Sequence, residues 1–416
     1  MLVLYHIIVN AAFLAASPFI LVRTILDSAF RHEMLQRLRG GSQAPQATKS
    51  IWIHAASVGE VQAARIFWQI LKKDQPELPL VLSTFTAAGY QMAKKEGLDP
   101  VFRMPPDSPI WIDPLFGKLD PALLVLIEAE LWPGLLGACG RRGIPVVLIN
   151  GRISQKAFQR YMNFQGIFQQ LMKPVSVFSM RTKTDCQRVL DLGIEPEKVR
   201  VTGNLKFEAL IPEDSGEDEA LPVDQTATVV FGSTRPGDEG PVMETVSRLW
   251  QDLPQFQCVL APRHIERCEE VEGLIRDYGF KYIRHSKING SQPEPSEVIL
   301  VDTIGDLNSY YQKSCLAFVG GGFNPRFGGH NILEPAAYSQ PVIYGKYMSN
   351  FEEEACLLAA SGGGVPLDSP DELYPTLLRL LKDPEERIRR GKAAKEMVKT
   401  NMGAGQRNLD LVKKFL

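Results

Sequence analysis

The chain has 416 residues, of which 44% are hydrophobic and 23% are charged, and its formal net charge is −2 at pH 7. This length and ordinary globular composition predict two domains. The near-zero net charge gives no general attraction to nucleic acid, so any anionic partner must be bound by local clusters of basic residues. The six cysteines are widely spaced and form neither a disulfide framework nor a metal-binding pair, so a reducing cytoplasm is the simplest setting.

The N-terminal segment, residues 1–22, contains no Asp, Glu, Lys or Arg and is largely apolar. It is long enough to span a bilayer. Its polar residues and the Ser17-Pro18 step leave open the alternative that the segment lies at the membrane surface. Residues 23–49 form a basic linker, and a positive flank of this kind keeps the following domains in the cytoplasm. The sequence therefore predicts an N-terminal membrane anchor; the alternative is a soluble protein with a buried N-terminal helix.

Residues 50–211 alternate short apolar strands with helices, which predicts a parallel sheet covered by helices on both faces. Glu60 falls in the first turn of the helix that follows the first strand, at the sheet edge where ligands bind in open α/β folds. A carboxylate in that position more often caps its own helix, so both roles remain open.

Two further carboxylates, Glu128 and Glu130, follow the strand that ends near residue 127. Their spacing of two places both on one face of an extended segment. Because unpaired carboxylates are costly to bury, we expect them to face a cleft, a cation or solvent. Arg152, at the end of the next strand, is one candidate partner.

An acidic tract containing Pro, Gly and Ser, residues 212–224, is typical of a linker between domains. The strand and helix alternation then restarts, which predicts a second α/β domain over residues 225–416. The last helix is expected either to complete this domain or to pack back on the N-terminal domain.

A glycine-rich stretch in the second domain indicates nucleotide binding. An apolar strand, residues 316–319, runs into glycines at 320–322, and Asn331 and Glu334 follow before Pro335, which suits the first position of a helix. Backbone N–H groups at a helix start bind phosphate, and an adjacent carboxylate can accept hydrogen bonds from ribose hydroxyls. A plain glycine-rich turn is the alternative, since isolated glycine patterns recur by chance.

Seven motifs in chain order, spread over both domains, resemble those of the 3-deoxy-D-manno-octulosonic acid (Kdo) transferases of lipid A and lipopolysaccharide biosynthesis. They are Trp52-Ile-His-Ala-Ala-Ser-Val-Gly-Glu60, Ser83-Thr-Phe-Thr-Ala-Ala-Gly89, Glu128-Ala-Glu-Leu-Trp-Pro133, Gly203-Asn-Leu-Lys206, Gly232-Ser-Thr-Arg235, Ala261-Pro-Arg-His264 and Gly328-Gly-His-Asn-Ile-Leu-Glu-Pro335. Each motif alone is weak, but seven in the same order are specific.

The resemblance implies an α/β protein of the GT-B fold, with two Rossmann-like domains facing a cleft and a hydrophobic N-terminal membrane anchor. It implies a glycosyltransferase that moves Kdo from CMP-Kdo to a lipid A precursor, lipid IVA, with inversion at the anomeric carbon. It also implies attachment to the inner membrane, cytoplasmic catalytic domains, and neither a metal nor another cofactor. The sequence supports the last point independently, since it has no Asp-x-Asp motif at a strand end and no His or Cys cluster.

The same resemblance assigns roles to individual residues, with Glu60 as the general base. The residues expected to bind substrate are Ser57, Gly59, Glu128, Glu130, Arg152 and Lys206. The residues expected to bind the nucleotide are Arg235, Pro262, Arg263, Thr303, Ile304, Gly305, Gly321, Gly322, Asn331 and Glu334. Within this second set we expect the ribose at Asn331 and Glu334, the phosphate at Arg263 and the backbone of residues 321–322, and the cytosine edge at residues 303–305.

Two other classes of function stay open, because a fold alone does not fix chemistry. The first is another GT-B enzyme, either a UDP-sugar transferase or a UDP-N-acetylglucosamine 2-epimerase. The second is a membrane-anchored sugar-binding protein without catalysis, against which the presence of Glu60, Arg263, Asn331 and Glu334 argues. The number of Kdo residues transferred and the oligomeric state are not predicted.

Overall fold

The computed structural model describes residues 17, 19, 22–28, 30, 31, 34, 35, 37, 43–128, 131–208, 227–288, 294 and 296–416. Most of the predicted anchor segment, the whole linker at 212–224 and Glu130 therefore lie outside the described residues. The chain divides into two compact units, Met1–Ala209 with Met402–Leu416, and Leu210–Asn401. No helix formed by the described residues is both long and apolar enough to cross a membrane.

The first unit is built on a parallel sheet whose strands are largely buried, apart from the last one in the chain, which lies at the edge. They are β1 (Ser50–His54), β2 (Leu80–Thr84), β3 (Val101–Arg103), β4 (Pro121–Ile127), β5 (Val146–Gly151), β6 (Val175–Met180) and β7 (Val199–Val201). Their order across the sheet is β3-β2-β1-β4-β5-β6-β7, and every pairing is parallel. Strands buried on both faces need continuous apolar runs, and β4, Pro-Ala-Leu-Leu-Val-Leu-Ile, has one.

Helices connect these strands, and sequence signals mark several of their ends. They are α1 (Val58–Asp74), α2 (Ala87–Lys95), α3 (Pro109–Leu119), α4 (Pro133–Arg142), α5 (Gln155–Met162), α6 (Gln165–Met172) and α7 (Lys183–Asp191). Thr86 caps α2 by accepting a hydrogen bond from the Gly89 N–H, and α4 has Pro133 at its start. Gly143 ends α4 in the left-handed conformation, which glycine adopts without steric cost.

Alternate side chains of β1 enter two separate cores, one on each face of the first sheet. Trp52 packs in one core, with its ring centroid 6.0 Å from that of Phe102. Ile51 and Ile53 point the other way, into a core that also holds Phe67 of α1. This two-sided burial fixes the register of β1 and therefore the position of the chain that leaves its carboxyl end.

The second unit contains another sheet in which all described pairings are parallel. Its strands are β8 (Ala227–Thr234), β9 (Phe256–Pro262), β10 (Lys281–Arg284), β11 (Glu297–Leu300), β12 (Leu316–Val319), β13 (Val342–Gly345) and β14 (Gly364–Leu367). They lie in the order β10-β11-β9-β8-β12-β13-β14. Its helices are α8 (Glu239–Asp252), α9 (Cys268–Asp277), α10 (Leu307–Lys313), α11 (Leu333–Ala337), α12 (Glu352–Ala360), α13 (Leu373–Lys382) and α14 (Pro384–Asn401).

Each sheet has a point at which the chain crosses from one side of its first strand to the other. In the first unit this point lies between β1 and β4, and in the second it lies between β8 and β12. Open α/β sheets bind ligands outside the carboxyl ends of the strands at such a point. The two loops that follow β1 and β12 are among those that contain the sequence motifs.

The last helix, α15 (Ala404–Val412), belongs to the first unit, so the second unit ends at Asn401 instead of residue 416. Leu409 and Val412 enter the core that contains α1. The buried Asn408 side chain accepts a hydrogen bond from the Ser179 hydroxyl. The helix packs there because these apolar and amide groups find buried partners on the first sheet.

Candidate functional site

Glu60 lies in the first turn of α1 and is only 5% exposed. One carboxylate oxygen, Oε2, accepts a hydrogen bond from the Ala56 N–H at 2.7 Å, and Oε1 accepts one from the Ser57 hydroxyl at 2.8 Å. The carboxylate therefore orders the loop between β1 and α1, as a capping group does. Gly59 leaves open space around its own Cα, with no heavy atom within 4 Å of where a Cβ would lie.

His54 ends β1 and is buried. Its Nδ1 lies 2.8 Å from the Ser83 hydroxyl, which also accepts a hydrogen bond from the Trp52 indole at 2.7 Å. The imidazole meets the ring of Trp132 edge to face, with centroids 4.8 Å apart. Burial lowers the pKa of His54 from 6.5 to about 3, and a hydrogen bond with the backbone of Ser83 opposes this fall. His54 is therefore a neutral packing residue at physiological pH and is poorly suited to act as a base.

Glu128, directly after β4, adopts a left-handed backbone with φ of 62°. Its partner is Arg181, at the end of β6, which forms an ion pair with the Glu128 carboxylate. The Arg181 Nε also donates to the carbonyl of Asn150, a second residue with positive φ. The sequence interpretation proposed Arg152 for this contact. Arg181 makes this contact with Glu128 instead, because its side chain, only 3% exposed, is buried under the ends of β4 and β5.

Lys206 lies in a short 3-10 helix, Leu205–Phe207, beyond β7. Asn150 Oδ1 accepts a hydrogen bond from the Leu205 N–H at 3.0 Å, and Asn204 Oδ1 accepts one from the Lys206 N–H at 3.1 Å. Leu205 is buried in the core that also holds α1. These contacts hold the Lys206 turn at the same edge of the sheet as the ends of β1 and β5.

In the second unit, Asp238 connects the loops that follow β8 and β12. Its Oδ2 accepts hydrogen bonds from the backbone N–H of Arg235 at 2.8 Å and of Gly321 at 2.7 Å. Burial raises the pKa of Asp238 to about 6, and the two N–H groups oppose this rise. Sequence reasoning missed Asp238, because no local pattern indicates a contact between residues 83 positions apart.

The glycines after β12 mainly allow close approach between chain segments. Gly321 has φ of 81°, and a Cβ there would lie 2.9 Å from the His330 ring. A Cβ on Gly322 would lie 2.6 Å from the carbonyl oxygen of Gly345. We expected the Gly321 backbone to face a phosphate. The structure differs, because that N–H already donates to Asp238.

Asn331 and Glu334 lie together at the start of α11. The Asn331 amide donates to Glu334 Oε1 at 2.9 Å, and its Oδ1 accepts from the Leu333 N–H at 3.2 Å. Burial raises the pKa of Glu334, while the bond from Asn331 and the charge of Arg263 oppose this rise. Glu334 is the second residue of the helix and Pro335 the third, so the helix starts two residues earlier than the proline position predicted.

The remaining predicted nucleotide residues follow β9 and β11. Pro262 is the buried last residue of β9, and the exposed Arg263 donates its N–H to the Thr234 carbonyl at 3.0 Å. In the turn after β11, Ile304 is 72% exposed and Gly305 has φ of 104°. The buried Thr303 hydroxyl has no hydrogen-bond partner among the described residues.

Arg235 follows β8 and is surrounded by rings. Its Nε lies 3.0 Å from His330 Nε2, and a terminal nitrogen lies 2.6 Å from His264 Nε2. The guanidinium carbon lies 5.1 Å from the centroid of Phe327. Both histidines occur in the matched motifs, but the sequence interpretation gave them no role. The sequence feature that could have identified them is their position directly beside Arg263 and Asn331, which were predicted to bind the nucleotide.

Among the described residues, no group of three or more His, Cys, Asp or Glu side chains is arranged to hold a metal ion. In the first unit these residues offer a buried carboxylate and a lysine turn. In the second unit they offer arginines with a partly buried pair of a carboxylate and an amide. The first set suits proton transfer and hydroxyl binding, and the second suits a ribose phosphate.

Comparison with known proteins gives a consistent family. Residues 32–209 match the family model described as "3-Deoxy-D-manno-octulosonic-acid transferase (kdotransferase)". The chain is 34% identical over 412 residues to the 3-deoxy-D-manno-octulosonic acid transferase of Haemophilus influenzae, covering 96% of this chain and 95% of that protein. It is 31% identical over 396 residues to the corresponding transferase of Chlamydophila psittaci, covering 92% and 89%.

Solved structures with lower identity show a similar fold. The UDP-GlcNAc 2-epimerase from Neisseria meningitidis, bound to UDP-GlcNAc, has a TM-score of 0.57 and 14% identity, covering 88% of this chain and 100% of that chain. Acinetobacter baumannii MurG has a TM-score of 0.53 and 13% identity, with the same coverage. At these identities the likeness concerns the fold alone. The two parallel-sheet α/β domains resemble those of GT-B glycosyltransferases, which confirms that part of the predicted fold.

Proposed function

The chain belongs to the 3-deoxy-D-manno-octulosonic acid transferase family and is a glycosyltransferase, and on this premise we propose that it transfers Kdo from CMP-Kdo to lipid IVA in lipopolysaccharide assembly. The observation that carries the proposal is where the matched motifs lie. Six of the seven follow the carboxyl ends of strands at or beside the point where strand order reverses, and the seventh follows the edge strand β7. That is where open α/β sheets bind their ligands.

We assign the CMP moiety to the second unit. Glu334, with its carboxylate held by Asn331, would accept hydrogen bonds from the ribose hydroxyls. Arg263, whose charge acts on Glu334, and Arg235 would bind the anionic groups of the donor, and residues 303–305 would face the cytosine. The glycines at 321 and 322 would contribute space and loop shape, because the Gly321 N–H is bonded to Asp238.

We assign the general base to Glu60. Inverting transfer requires a group that takes the proton of the acceptor hydroxyl as that hydroxyl attacks. The Ala56 N–H and the Ser57 hydroxyl hold the carboxylate in one orientation, which is the preorganisation that a base needs. Capping and catalysis are compatible here, since a carboxylate can accept about four hydrogen bonds.

The other substrate contacts would also come from the first unit. Lys206 would balance the negative charge that develops as CMP leaves, and Glu128, oriented by Arg181, would bind sugar hydroxyls. Glu130 and Arg152 are retained as candidates for the acceptor. The Lys206 turn has a defined position because Asn150 and Asn204 hold its backbone.

We further propose that residues 1–22 anchor the protein to the inner membrane, with the catalytic units in the cytoplasm. The apolar composition of this segment and the arginines that follow it support the proposal. An anchor would raise the effective concentration of the enzyme at a lipid acceptor. Deleting these residues should reduce activity on acceptor in vesicles and spare CMP binding. Loss of folding on deletion would indicate a core helix instead.

Nucleotide binding tests the donor assignment. Thermal unfolding of the full-length protein should be shifted upward by CMP and much less by UMP, because a ligand that binds only the folded state stabilises it. A UDP-sugar enzyme of the same fold would show the opposite preference. Stabilisation by uridine nucleotides alone would overturn the proposed donor and leave the family membership standing.

A further inference from the structure

The side chain of Arg235 makes two hydrogen bonds to imidazole rings, and both place a ring nitrogen in the acceptor role. Its Nε lies 3.0 Å from His330 Nε2, and its Nη1 lies 2.6 Å from His264 Nε2. A guanidinium carries five N–H donors and cannot accept. Each Nε2 must therefore be unprotonated, so both imidazoles are neutral and carry their proton on Nδ1.

The pocket around His330 favours this neutral state. Burial, together with the charges of Arg235 and Arg263, lowers the pKa of His330 to about 4. Near pH 7 the ring is therefore an acceptor for Arg235. Its position is tightly fixed, since a Cβ on Gly321 would lie 2.9 Å from the ring. A glycine at 321 is what allows His330 to come this close.

The two histidines leave part of the guanidinium available. Two of its five N–H groups point at the rings, and no other acceptor for the side chain is found among the described residues. The Phe327 ring lies 5.1 Å from the guanidinium carbon and blocks no donor. Arginine at such a site can offer a planar pair of N–H groups to a carboxylate or a phosphate.

The surrounding charges leave an excess of positive charge beside Arg235. Burial lowers the pKa of Arg235, and the neighbouring Arg263 and Arg267 lower it further. The nearby acids are already engaged. Asp238 accepts two backbone N–H groups, and Glu239 pairs with Arg267 at 2.7 Å. An anionic ligand at this position would relieve the repulsion among the arginines.

We propose that His264 and His330 are positioning residues, whose neutral imidazoles hold Arg235 at the end of β8 so that its remaining N–H groups bind an anionic oxygen of the donor. This inference rests on the proposed function, in which the donor is CMP-Kdo. The anionic oxygen belongs either to the phosphate of the nucleotide or to the carboxylate of the sugar. Both are recognised by the same guanidinium face, and ligands that lack one of them tell the two apart.

The experiment compares cytidine, CMP and CMP-Kdo on matched variants of the full-length protein. His330→Leu removes the acceptor at similar size, whereas His330→Gln keeps an acceptor oxygen near the position of Nε2. His264→Leu and His264→Gln form the same pair at an exposed position, where a failure to fold is not expected. Arg235→Met is the reference for loss of the anion contact. Titration calorimetry gives affinities for cytidine and CMP, and steady-state kinetics gives the KM for CMP-Kdo.

We expect the two leucine variants to weaken CMP binding by roughly tenfold or more, because Arg235 loses an acceptor that orients its charged donors, and to leave cytidine binding unchanged. The glutamine variants should stay close to wild type. If the sugar carboxylate is the partner, CMP affinity stays constant and the KM for CMP-Kdo rises instead. Either pattern supports the inference on two conditions. Arg235→Met must show the same pattern, and the double variant Arg235→Met/His330→Leu must lose no more affinity than Arg235→Met alone.

Four results would overturn the inference. Leucine variants that bind all three ligands normally, while Arg235→Met does not, would show that the histidines are dispensable. Equal losses of affinity in the leucine and glutamine variants would indicate a structural effect. Losses that add up in the double variant Arg235→Met/His330→Leu would indicate the same. A wild-type protein that does not bind CMP would instead overturn the proposed function, and this inference with it.

Discussion

Arg181 forms an ion pair with Glu128 and donates through Nε to the Asn150 carbonyl 3.1 Å away, so one buried side chain joins the ends of β4, β5 and β6. Glu128 and Asn150 both have positive φ, which is costly for residues other than glycine. The contact therefore keeps a strained sheet edge in place. That edge carries the Lys206 turn through the Asn150 side chain.

Replacing Arg181 with Met should destabilise the protein by up to about 3 kcal/mol, the lower end of the scale for removing one partner of a buried ion pair, because the Glu128 side chain is 27% exposed. Glu128 would be left without its cation, and the Asn150 carbonyl would lose a donor. Urea unfolding of both proteins measures the difference. Arg141→Met is the matched control, because Arg141 pairs with Asp113 at the surface. Its replacement should lower the free energy of unfolding by less than about 1 kcal/mol. Equal losses in the two variants would contradict the structural role of Arg181.

Glu60→Gln should reduce turnover by at least about a hundredfold, because a positioned base contributes about 10² to 10⁴ in rate. The amide preserves the loop, since its oxygen can accept from the Ala56 N–H and its NH2 can donate to the Ser57 hydroxyl oxygen. CMP affinity should stay the same, because the nucleotide is assigned to the other unit. Normal turnover in this variant, with Glu130→Gln inactive, would move the base to the end of β4.

Glu334→Ala should weaken CMP binding by roughly one to two orders of magnitude, from the loss of charged hydrogen bonds to the ribose at about 1.5 to 3 kcal/mol. Titration calorimetry provides the measurement. Glu269→Ala is a suitable control, since Glu269 also lies in the first turn of a helix, α9, but is exposed. An unchanged CMP affinity in the Glu334 variant would remove the ribose assignment.

His54 should make the protein less stable in acid. Its pKa is about 3 in the folded state and near 6.5 when unfolded, so between these values the unfolded chain binds a proton that the folded chain does not. Stability is therefore complete above pH 6.5 and falls as the pH decreases, by up to about 1.4 kcal/mol per pH unit from this residue.

The matched variant for this effect is His54→Asn, which can keep the hydrogen bond with Ser83 but does not titrate. Urea unfolding of both proteins between pH 4.5 and 7 isolates the contribution, because all other groups are shared. The difference in free energy of unfolding between the wild type and His54→Asn should become smaller in acid, because only the wild type loses stability through His54. A constant difference across this range would mean that His54 is solvated or already charged in the folded protein.

The sequence pattern predicts the two parallel sheets well, because strands buried on both faces require continuous apolar runs that are visible locally. β1 and β4 are examples, and their carboxyl ends identify Glu60 and Glu128 as site candidates. Short strands are not predicted in this way, because they contain too few residues to form a recognisable apolar run. β3 has only three residues, and its assignment depends on pairing with β2, which no local period reveals.

Contacts between distant segments explain the remaining differences. The glycine pattern after β12 indicates close approach, but it does not reveal that Asp238 and His330 are the groups that come close to Gly321. In the same way, Arg152 and Arg181 both follow strands of one sheet, and only the three-dimensional packing decides that Arg181 reaches Glu128. Register and side-chain direction select between such candidates, and both are tertiary properties.

Mass spectrometry of the lipid product shows directly whether the protein transfers Kdo to a lipid A precursor. Purified full-length protein, incubated with lipid IVA and CMP-Kdo, should yield lipid that is heavier by one or more whole Kdo residues, and the Glu60→Gln protein should yield almost none. Lipid IVA that the wild-type protein leaves unmodified by CMP-Kdo, together with a product formed from a UDP-sugar, would contradict Kdo transfer.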